Sequence, residues 1–310
     1  MKTAFVFPGQ GAQYIGMASD YLAARPDLLE LLQSFDKQHG TELQKIMAEG
    51  PEESLKETRF TQPAILFHSY CALSILQDKL NLKPDFVAGH SLGEFTALVA
   101  AGVLSPLDAM HLVHKRGEFM IKANEGSPFA MAAIIGLDSE AVKAVCNEAE
   151  AVGLVRAVNF NTPIQTVISG SEQGVAKAME LAKAAGAKRA LPLVVGGPFH
   201  TPMIQKASGW LAEEMKAISF SPANCPVVSN VDALPSTDPD EIRGKLELQI
   251  VSPVLWVDSV NYMISQGVTR FVEFGPQKVL SGMIKNIDKD IQCVSLDKME
   301  ELDAALELMS

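Results

Sequence analysis

A serine between two glycines has the clearest chemical capacity in this sequence. Residues 89–94 are Gly-His-Ser-Leu-Gly-Glu, which contains the Gly-x-Ser-x-Gly pattern of a sharp strand-to-helix turn. An apolar stretch at 86–88 predicts the strand, and residues 92–101 predict the helix. The strained turn leaves no room for a Cβ atom at either shoulder, which explains the glycines. We predict that Ser91 is a nucleophile and that the Leu92 amide faces a developing oxyanion. The alternative is a tight turn with a surface serine.

A serine hydroxyl is protonated at neutral pH and therefore needs a base, which is most often histidine. Among six histidines, His200 lies in a Gly- and Pro-rich loop at 196–202, and such loops commonly carry catalytic side chains. We predict His200 as the base; a capping or solvent-exposed histidine is the alternative. No carboxylate stands out in a matching loop between Ser91 and His200, so a backbone carbonyl is a possible partner of the imidazole. The other five histidines are given structural roles. His39 and His68 are interpreted as packing or surface residues, His111 and His114 as packing residues, and His90 as support for the turn.

A second glycine-rich turn follows the first predicted strand, at Gly9-Gln10-Gly11. Gly-x-Gly after a strand suggests a dinucleotide-binding turn, but the third glycine of that pattern is replaced by Tyr14 and Pro8 interrupts the turn. We favour a turn that brings Gln10 close to Ser91. The Gln10 amide would then be the second oxyanion donor.

Helices and strands alternate along the chain, which predicts an α/β fold with a mostly parallel sheet covered on both faces. The predicted strands of this core are 2–7, 86–88, 227–230, 271–274 and 291–295. The predicted helices are 19–35, 62–80, 92–101, 105–124, 203–218, 240–250, 256–266 and 277–285.

The block from about 129 to 195 has its own order, β-α-β-β-α-β, which is the ferredoxin-like pattern. Its strands are predicted at 129–135, 154–158, 165–169 and 189–195, and its helices at 138–151 and 172–185. Turn signals at 125–128 and 196–198 flank the block, where the hinges of an insertion would lie. We therefore predict a core of residues 1–126 and 197–310 and an insert of residues 127–196.

Composition limits the classes of function. The net charge of −11 argues against a general nucleic-acid or anionic-membrane surface. The start of the chain does not resemble a signal peptide, and no apolar run approaches a membrane span. The four cysteines are far apart and no metal-binding spacing occurs, so we expect reduced thiols, no metal site and a cytoplasmic protein.

Motifs along nearly the whole chain resemble those of the malonyl-CoA:acyl-carrier-protein transacylases of fatty acid synthesis, and of the related acyltransferase domains of polyketide synthases. The family fold is an α/β-hydrolase-like core with a ferredoxin-like insert, in agreement with the elements above. The matching segments are 7–13, 61–64, 89–94, 115–117, 158–161, 199–200, 229–231, 249, 252–254 and 273–276.

The resemblance implies a role for each matching position. Ser91 would be acylated, with His200 as its base and the amides of Gln10 and Leu92 as the oxyanion hole. Arg116 would hold the malonyl carboxylate through two parallel charge-assisted bonds. The backbone carbonyl of Gln249 would orient His200. Phe199 would leave little room for a branched acyl group. The other residues expected to line or support the substrate site are His90, Asn161 and Gln249.

The family also implies the reactants. Malonyl-CoA would be the donor, a phosphopantetheine thiol on an acyl carrier protein the acceptor, and no cofactor would be bound. Because such carriers are acidic and this chain is acidic, a monomer would need a local basic patch, for which the candidates are Lys188, Arg189, Lys278 and Lys285. The alternatives are a trans-acting polyketide synthase acyltransferase, a serine esterase or thioesterase, and a non-catalytic carrier-binding module.

Overall fold

The computed structural model describes residues 1–80 and 83–309. Its strands are β1 (Lys2–Phe7), β2 (Phe86–Gly89), β3 (Phe129–Ile135), β4 (Val155–Thr162), β5 (Gln165–Ser171), β6 (Arg189–Leu193), β7 (Val227–Val228), β8 (Pro235–Ser236), β9 (Val268–Phe274) and β10 (Gln292–Leu296). Its helices are α1 (Ser19–Ala24), α2 (Leu29–His39), α3 (Leu43–Glu49), α4 (Glu52–Lys56), α5 (Thr58–Lys79), α6 (Gly93–Ala100), α7 (Pro106–Lys122), α8 (Ser139–Ala149), α9 (Glu172–Ala184), α10 (Gln205–Lys216), α11 (Pro239–Gln249), α12 (Trp256–Ser265), α13 (Val279–Ile287) and α14 (Leu302–Met309).

The larger sheet has the order β10-β9-β1-β2-β7-β8, and its pairs are parallel except for the short antiparallel pair β7–β8. Both of its faces are buried, which explains why its strands are continuous apolar runs. Phe5, Phe7 and Phe274 pack on one face, whereas Val6 and Phe271 belong to a separate apolar cluster. The predicted α/β class with a mostly parallel sheet is confirmed.

The second sheet is antiparallel, with the order β4-β5-β3-β6. Helices α8 and α9 pack on one of its faces, while Met131 and Ala133 of β3 face the other way. The ferredoxin-like order of elements is as the sequence predicts. A parallel bridge between Asn159 of β4 and Val254 connects this sheet to the segment that precedes α12.

Several predicted elements differ from the structure at one or both ends. The helix predicted over 62–80 begins earlier, at Thr58, and the strand predicted at 271–274 begins at Val268. The single helix predicted over 19–35 is broken, because α1 ends at Ala24 and Pro26 opens a 3-10 turn before α2. The strand predicted at 227–230 ends at Val228, and the strand predicted at 154–158 continues to Thr162. The start of the helix predicted over 203–218 is a 3-10 turn, so that α10 begins at Gln205.

The helices α3, α4 and α14 and the short strand β8 lie in stretches for which the sequence made no prediction. In the described part of the chain, no helix is long and apolar enough to cross a membrane. Within the same residues, no group of three or more His, Cys, Asp or Glu side chains is arranged to hold a metal ion.

Candidate active site

Ser91 lies in a strained turn between β2 and α6, with a left-handed backbone φ of 53°. Close packing explains the two glycines of the turn. A Cβ atom on Gly89 would lie 1.9 Å from the carbonyl carbon of Gly93, and one on Gly93 would lie 2.0 Å from the Phe7 oxygen. The turn is therefore held directly against the end of β1.

Asn230 fixes the backbone on both sides of this turn. Its Oδ1 atom accepts a hydrogen bond from the Ser91 N–H at 2.7 Å, and its Nδ2 donates to the Gly89 oxygen at 2.6 Å. Asn230 is fully buried two residues after β7. β7 pairs with β2 in the sheet, so a residue that is distant in sequence fixes the path of the Ser91 turn.

His200 and Ser91 are in direct contact: the Nε2 and Oγ atoms are 2.8 Å apart. The other ring nitrogen, Nδ1, lies 3.0 Å from the Gln249 oxygen and 3.1 Å from the Ser252 oxygen. Two carbonyl oxygens can only accept, so Nδ1 carries the proton and Nε2 is left to accept the serine proton. Burial and the charge of Arg116 lower the pKa of His200 to about 3, so the imidazole is neutral at physiological pH.

Two backbone N–H groups near Ser91 are free to bind an oxyanion. Among the described residues, neither the Leu92 nor the Gln10 N–H has a hydrogen-bond acceptor. The Gln10 loop approaches closely because Gly9 has no side chain, as a Cβ atom there would lie 2.7 Å from the His90 oxygen. Gln10, Ser91 and Leu92 all line the same cavity.

Arg116 reaches Ser91 from α7 and is 1 % exposed. Its Nη2 atom lies 3.0 Å from Ser91 Oγ and 3.0 Å from Gln249 Oε1, and Nη1 donates to Gln62 Oε1 at 2.9 Å. Its Nε atom is buried and has no partner among the described residues. Burial lowers the pKa of Arg116 to about 10, and Glu94 opposes this shift. A buried cation with unused donors beside a serine hydroxyl is suited to bind a carboxylate.

A cavity of about 300 Å³ joins these groups. Its walls come from the core on one side and from β3, β4 and β5 on the other, so the second sheet closes the site. Phe199 lines the cavity next to His200, whereas Gln249 is fully buried behind it. His90 Nε2 and Asn161 Oδ1, which are 2.8 Å apart, connect the two sides, and burial lowers the pKa of His90.

Comparison with known proteins identifies the family. The family described as "Acyl transferase domain" matches residues 4–299. The malonyl CoA-acyl carrier protein transacylase of Bacillus subtilis is 43% identical over 99% of this chain and 97% of its own length. The protein of that name from Escherichia coli K12 is 44% identical over 98% of this chain and 99% of its own length. This chain belongs to the malonyl-CoA:acyl-carrier-protein transacylase family.

Solved structures of the transacylase family share the whole fold. An acyl-carrier-protein S-malonyltransferase from Burkholderia pseudomallei superimposes with a TM-score of 0.95 at 43% identity, covering 99% of this chain and all of the other. A malonyl-transacylase in complex with a type II polyketide synthase acyl-carrier protein also gives 0.95, at 39% identity and the same coverage. The family resemblance inferred from sequence is confirmed.

Three polar residues of this transacylase-family site received no role from the sequence. Gln62 and Asn230 lie in matching family segments, yet nothing in their local pattern indicates contacts with Arg116 and Ser91. Glu94 ends the nucleophile motif and is buried, although charged side chains of surface helices usually face water. The signal that could have indicated Gln62 is its place directly before the apolar run 63–67 of α5, where it is buried.

The four basic residues predicted to dock a carrier are all exposed, but they differ in their partners. Lys278 pairs with Glu301 at 2.7 Å, and Lys285 donates to the Lys289 carbonyl. Arg189 begins the edge strand β6, and Lys188 precedes it. Lys285 lies on α13, the helix that also contributes Leu280 and Met283 to the cavity wall.

Proposed function

We propose that this protein transfers a malonyl group from malonyl-CoA to the phosphopantetheine thiol of an acyl carrier protein through a malonyl ester on Ser91. The observation that carries this proposal is the buried Arg116 guanidinium, 3.0 Å from the Ser91 hydroxyl. Relatives across the whole length of the chain are malonyl CoA-acyl carrier protein transacylases.

In the first half-reaction His200 takes the proton of Ser91 while Oγ attacks the thioester carbonyl. The carbonyl oxygen becomes an oxyanion that the Leu92 and Gln10 amides stabilise; removal of one such donor typically costs about 3–4 kcal/mol. When the intermediate collapses, the carbon–sulfur bond breaks and the CoA thiolate takes the proton from His200. The product is a malonyl-Ser91 ester.

Arg116 supplies the preference for malonyl over acetyl. The free carboxylate of a malonyl ester lies one methylene beyond the ester carbonyl, within reach of a guanidinium that contacts Oγ itself. Esterification turns Oγ into a poor acceptor, which releases an Nη2 hydrogen for the carboxylate. An acetyl ester offers no such partner and leaves the buried cation unpaired. The ring of Phe199 limits the space for a branch on the acyl group.

The second half-reaction reverses the first with a different thiol. His200 accepts the proton of the carrier's phosphopantetheine thiol, whose sulfur attacks the ester, and then returns a proton to Ser91. The phosphopantetheine arm belongs to the partner protein, and we propose a reaction that uses no resident cofactor of the enzyme. This sequence predicts ping-pong kinetics. A polyketide carrier is the second candidate acceptor, because a similar structure contains a type II polyketide synthase carrier.

We propose residues 1–126 and 197–310 as the catalytic core and 127–196 as the insert that covers the site. We place the reaction in the cytoplasm, where four unpaired cysteines remain reduced. We also propose that a monomer docks its carrier transiently through a patch drawn from Lys188, Arg189, Lys278 and Lys285.

Intact mass after brief mixing with malonyl-CoA, and separately with acetyl-CoA, tests the proposal. We expect one malonyl adduct, little acetyl adduct and no adduct on a Ser91→Ala variant. Equal labelling by both donors would contradict the role of Arg116. Release of CoA without any adduct would favour a hydrolase, and neither adduct nor CoA would favour a binding module.

A further inference from the structure

Glu94 is a buried carboxylate beneath the Ser91 turn, 2 % exposed and out of the cavity. Its Oε2 atom accepts two hydrogen bonds, one from Gln249 Nε2 at 2.7 Å and one from the Asn230 N–H at 3.1 Å. These donors are 155 and 136 residues away in sequence. The steps described above assign no role to this group.

Both donors also hold the backbone of Ser91. Gln249 Nε2 donates to the Ser91 oxygen at 2.9 Å, and Asn230 Oδ1 accepts from the Ser91 N–H at 2.7 Å. One carboxylate oxygen of Glu94 therefore anchors the two residues that fix the nucleophile's N–H and carbonyl groups. Movement of Glu94 would release both ends of the turn.

The same contact decides which way the Gln249 amide points. Its NH₂ lies between two acceptors, Glu94 Oε2 and the Ser91 oxygen, and its Oε1 faces Arg116 Nη2 at 3.0 Å. An ionised carboxylate only accepts hydrogen bonds. A flipped amide would set its oxygen against that carboxylate and its NH₂ against the guanidinium. Ionised Glu94 thus keeps the Gln249 amide in the orientation whose oxygen accepts a hydrogen bond from Arg116.

We propose that Glu94 is a positioning residue for acyl transfer, which orients the Gln249 amide and the Asn230 backbone so that Ser91 and Arg116 keep their reactive geometry. This inference rests on the proposed function in that Arg116 receives the substrate carboxylate. Glu94 does not line the cavity, so its effect on the reaction passes through Gln249 and Asn230, the two residues that also hold the backbone of Ser91.

The charges around Glu94 give the proposal a pH signature. Helix α6 packs against α5, α7, β1 and β2. Among the described residues of these four elements, Arg116 of α7 is the only charged side chain that acts on Glu94. Burial raises the pKa of the Glu94 carboxyl to about 7, while its hydrogen bonds and Arg116 oppose the rise. The two nearby imidazoles remain neutral, because burial lowers the pKa of both His90 and His200.

Protonated Glu94 can donate as well as accept, so it no longer dictates the amide orientation. The malonylation rate of the wild type should therefore fall as the pH falls through about 7. If protonation of His200 alone caused the loss of rate in acid, the malonylation rate would fall only near the pKa of His200, which is about 3. A neutral acceptor at position 94 would remove the limb near 7.

The experiment compares single-turnover malonylation and acetylation of the wild type, Glu94→Gln and Glu94→Leu from about pH 5 to about pH 8. Glu94→Gln can keep both hydrogen bonds through its amide oxygen, so we expect activity within about 10-fold of wild type at neutral pH and no limb near 7. Glu94→Leu removes the acceptor, and we expect about a 100-fold loss of malonylation. Acetylation should fall less, because it does not use Arg116.

Glu273→Gln is the matched control, since Glu273 is another buried carboxylate that holds backbone N–H groups, those of Leu280 and Ser281. It should lower stability and leave both the malonyl-to-acetyl ratio and the acid limb unchanged. The inference would be overturned if the malonylation rate of Glu94→Gln still fell as the pH dropped through about 7. It would also be overturned if Glu94→Leu lost malonylation and acetylation activity by equal factors. If Glu94→Leu does not fold, the pH profile of Glu94→Gln decides. A wild type that takes up no malonyl group overturns the proposed function and the inference together.

Discussion

Arg116 and His200 share one buried site, and each affects the chemistry of the other. The positive charge of Arg116 contributes to the low pKa of His200, which keeps the imidazole neutral but also makes it a weak base. A malonyl carboxylate bound to Arg116 would offset this charge. His200 would then become more basic in the acyl-enzyme, where it must deprotonate the acceptor thiol. We therefore propose that the substrate carboxylate contributes both to selection and to the second half-reaction.

Replacing Arg116 tests selection at the scale of one residue. Loss of one partner of a buried charge pair typically costs about 2–5 kcal/mol, or roughly 30-fold to several thousand-fold. We expect Arg116→Ala to lower kcat/KM for malonyl-CoA by such a factor and to affect acetyl-CoA much less. Lys115→Ala is the control, because Lys115 is the adjacent cation and pairs at the surface with Glu118. Equal losses for both donors in Arg116→Ala would contradict the clamp.

The sequence was sufficient to nominate Ser91 and His200, because one lies in a motif that fixes local geometry and the other in a loop unsuited to helix or strand. It could not assign the contacts of Glu94, Gln62 and Asn230. Those depend on segments that meet only after the sheet forms, and no local period records them. Resemblance to the family placed Arg116 and Gln249, whose roles no spacing argument would have supplied.

At the scale of elements, the site depends on how closely α6 approaches β1. Gly93 marks this contact, since a Cβ atom there would lie 2.0 Å from the Phe7 oxygen. We expect Gly93→Ala to displace α6, abolish malonylation and lower the free energy of unfolding by about 3 kcal/mol. Gly209→Ala in the middle of α10 is the control, because among the described residues no atom beyond its chain neighbours and the nearby backbone of its own helix lies within 4 Å of its Cβ position. It should stabilise the protein by up to about 1 kcal/mol. An active, stable Gly93→Ala enzyme, measured by denaturant unfolding and intact mass, would contradict this view.

The predicted start of a helix agrees with the structure where the sequence has a clear N-cap residue. Ser105 and Asp138 cap α7 and α8 through their side chains, and both helices begin where predicted. The prediction failed at Pro26, because apolar periodicity continues across a residue that cannot extend a helix. It also failed after Val228, where Asn230 turns its backbone N–H to Glu94 instead of a neighbouring strand. The strand ends early because Asn230 contacts Glu94, and strand propensity carries no information about such a contact.

At the scale of the whole molecule, the fold buries many ionisable groups, and their pKa shifts link stability to pH. Burial lowers the pKa of four histidines and raises the pKa of two glutamates in the described part of the chain. The histidines are His39 (pKa about 4), His90, His114 and His200 (about 3). The glutamates are Glu94 (about 7) and Glu273.

The histidines and the glutamates have opposite effects on the free energy of unfolding between about pH 6.5 and pH 4.5. The four histidines take up protons in the unfolded chain before they do so in the folded protein, so acid removes the stability that they contribute. The two glutamates bind protons earlier in the folded protein, so acid adds stability. The histidines outnumber the glutamates by two, and we expect the thermal midpoint to fall as the pH is lowered from about 6.5 to about 5. His39→Asn should make this fall shallower, since it removes one titrating group outside the active site. Calorimetric scans across this range measure both slopes, and a midpoint that rises or stays constant on acidification would contradict the balance of charges proposed for the folded protein.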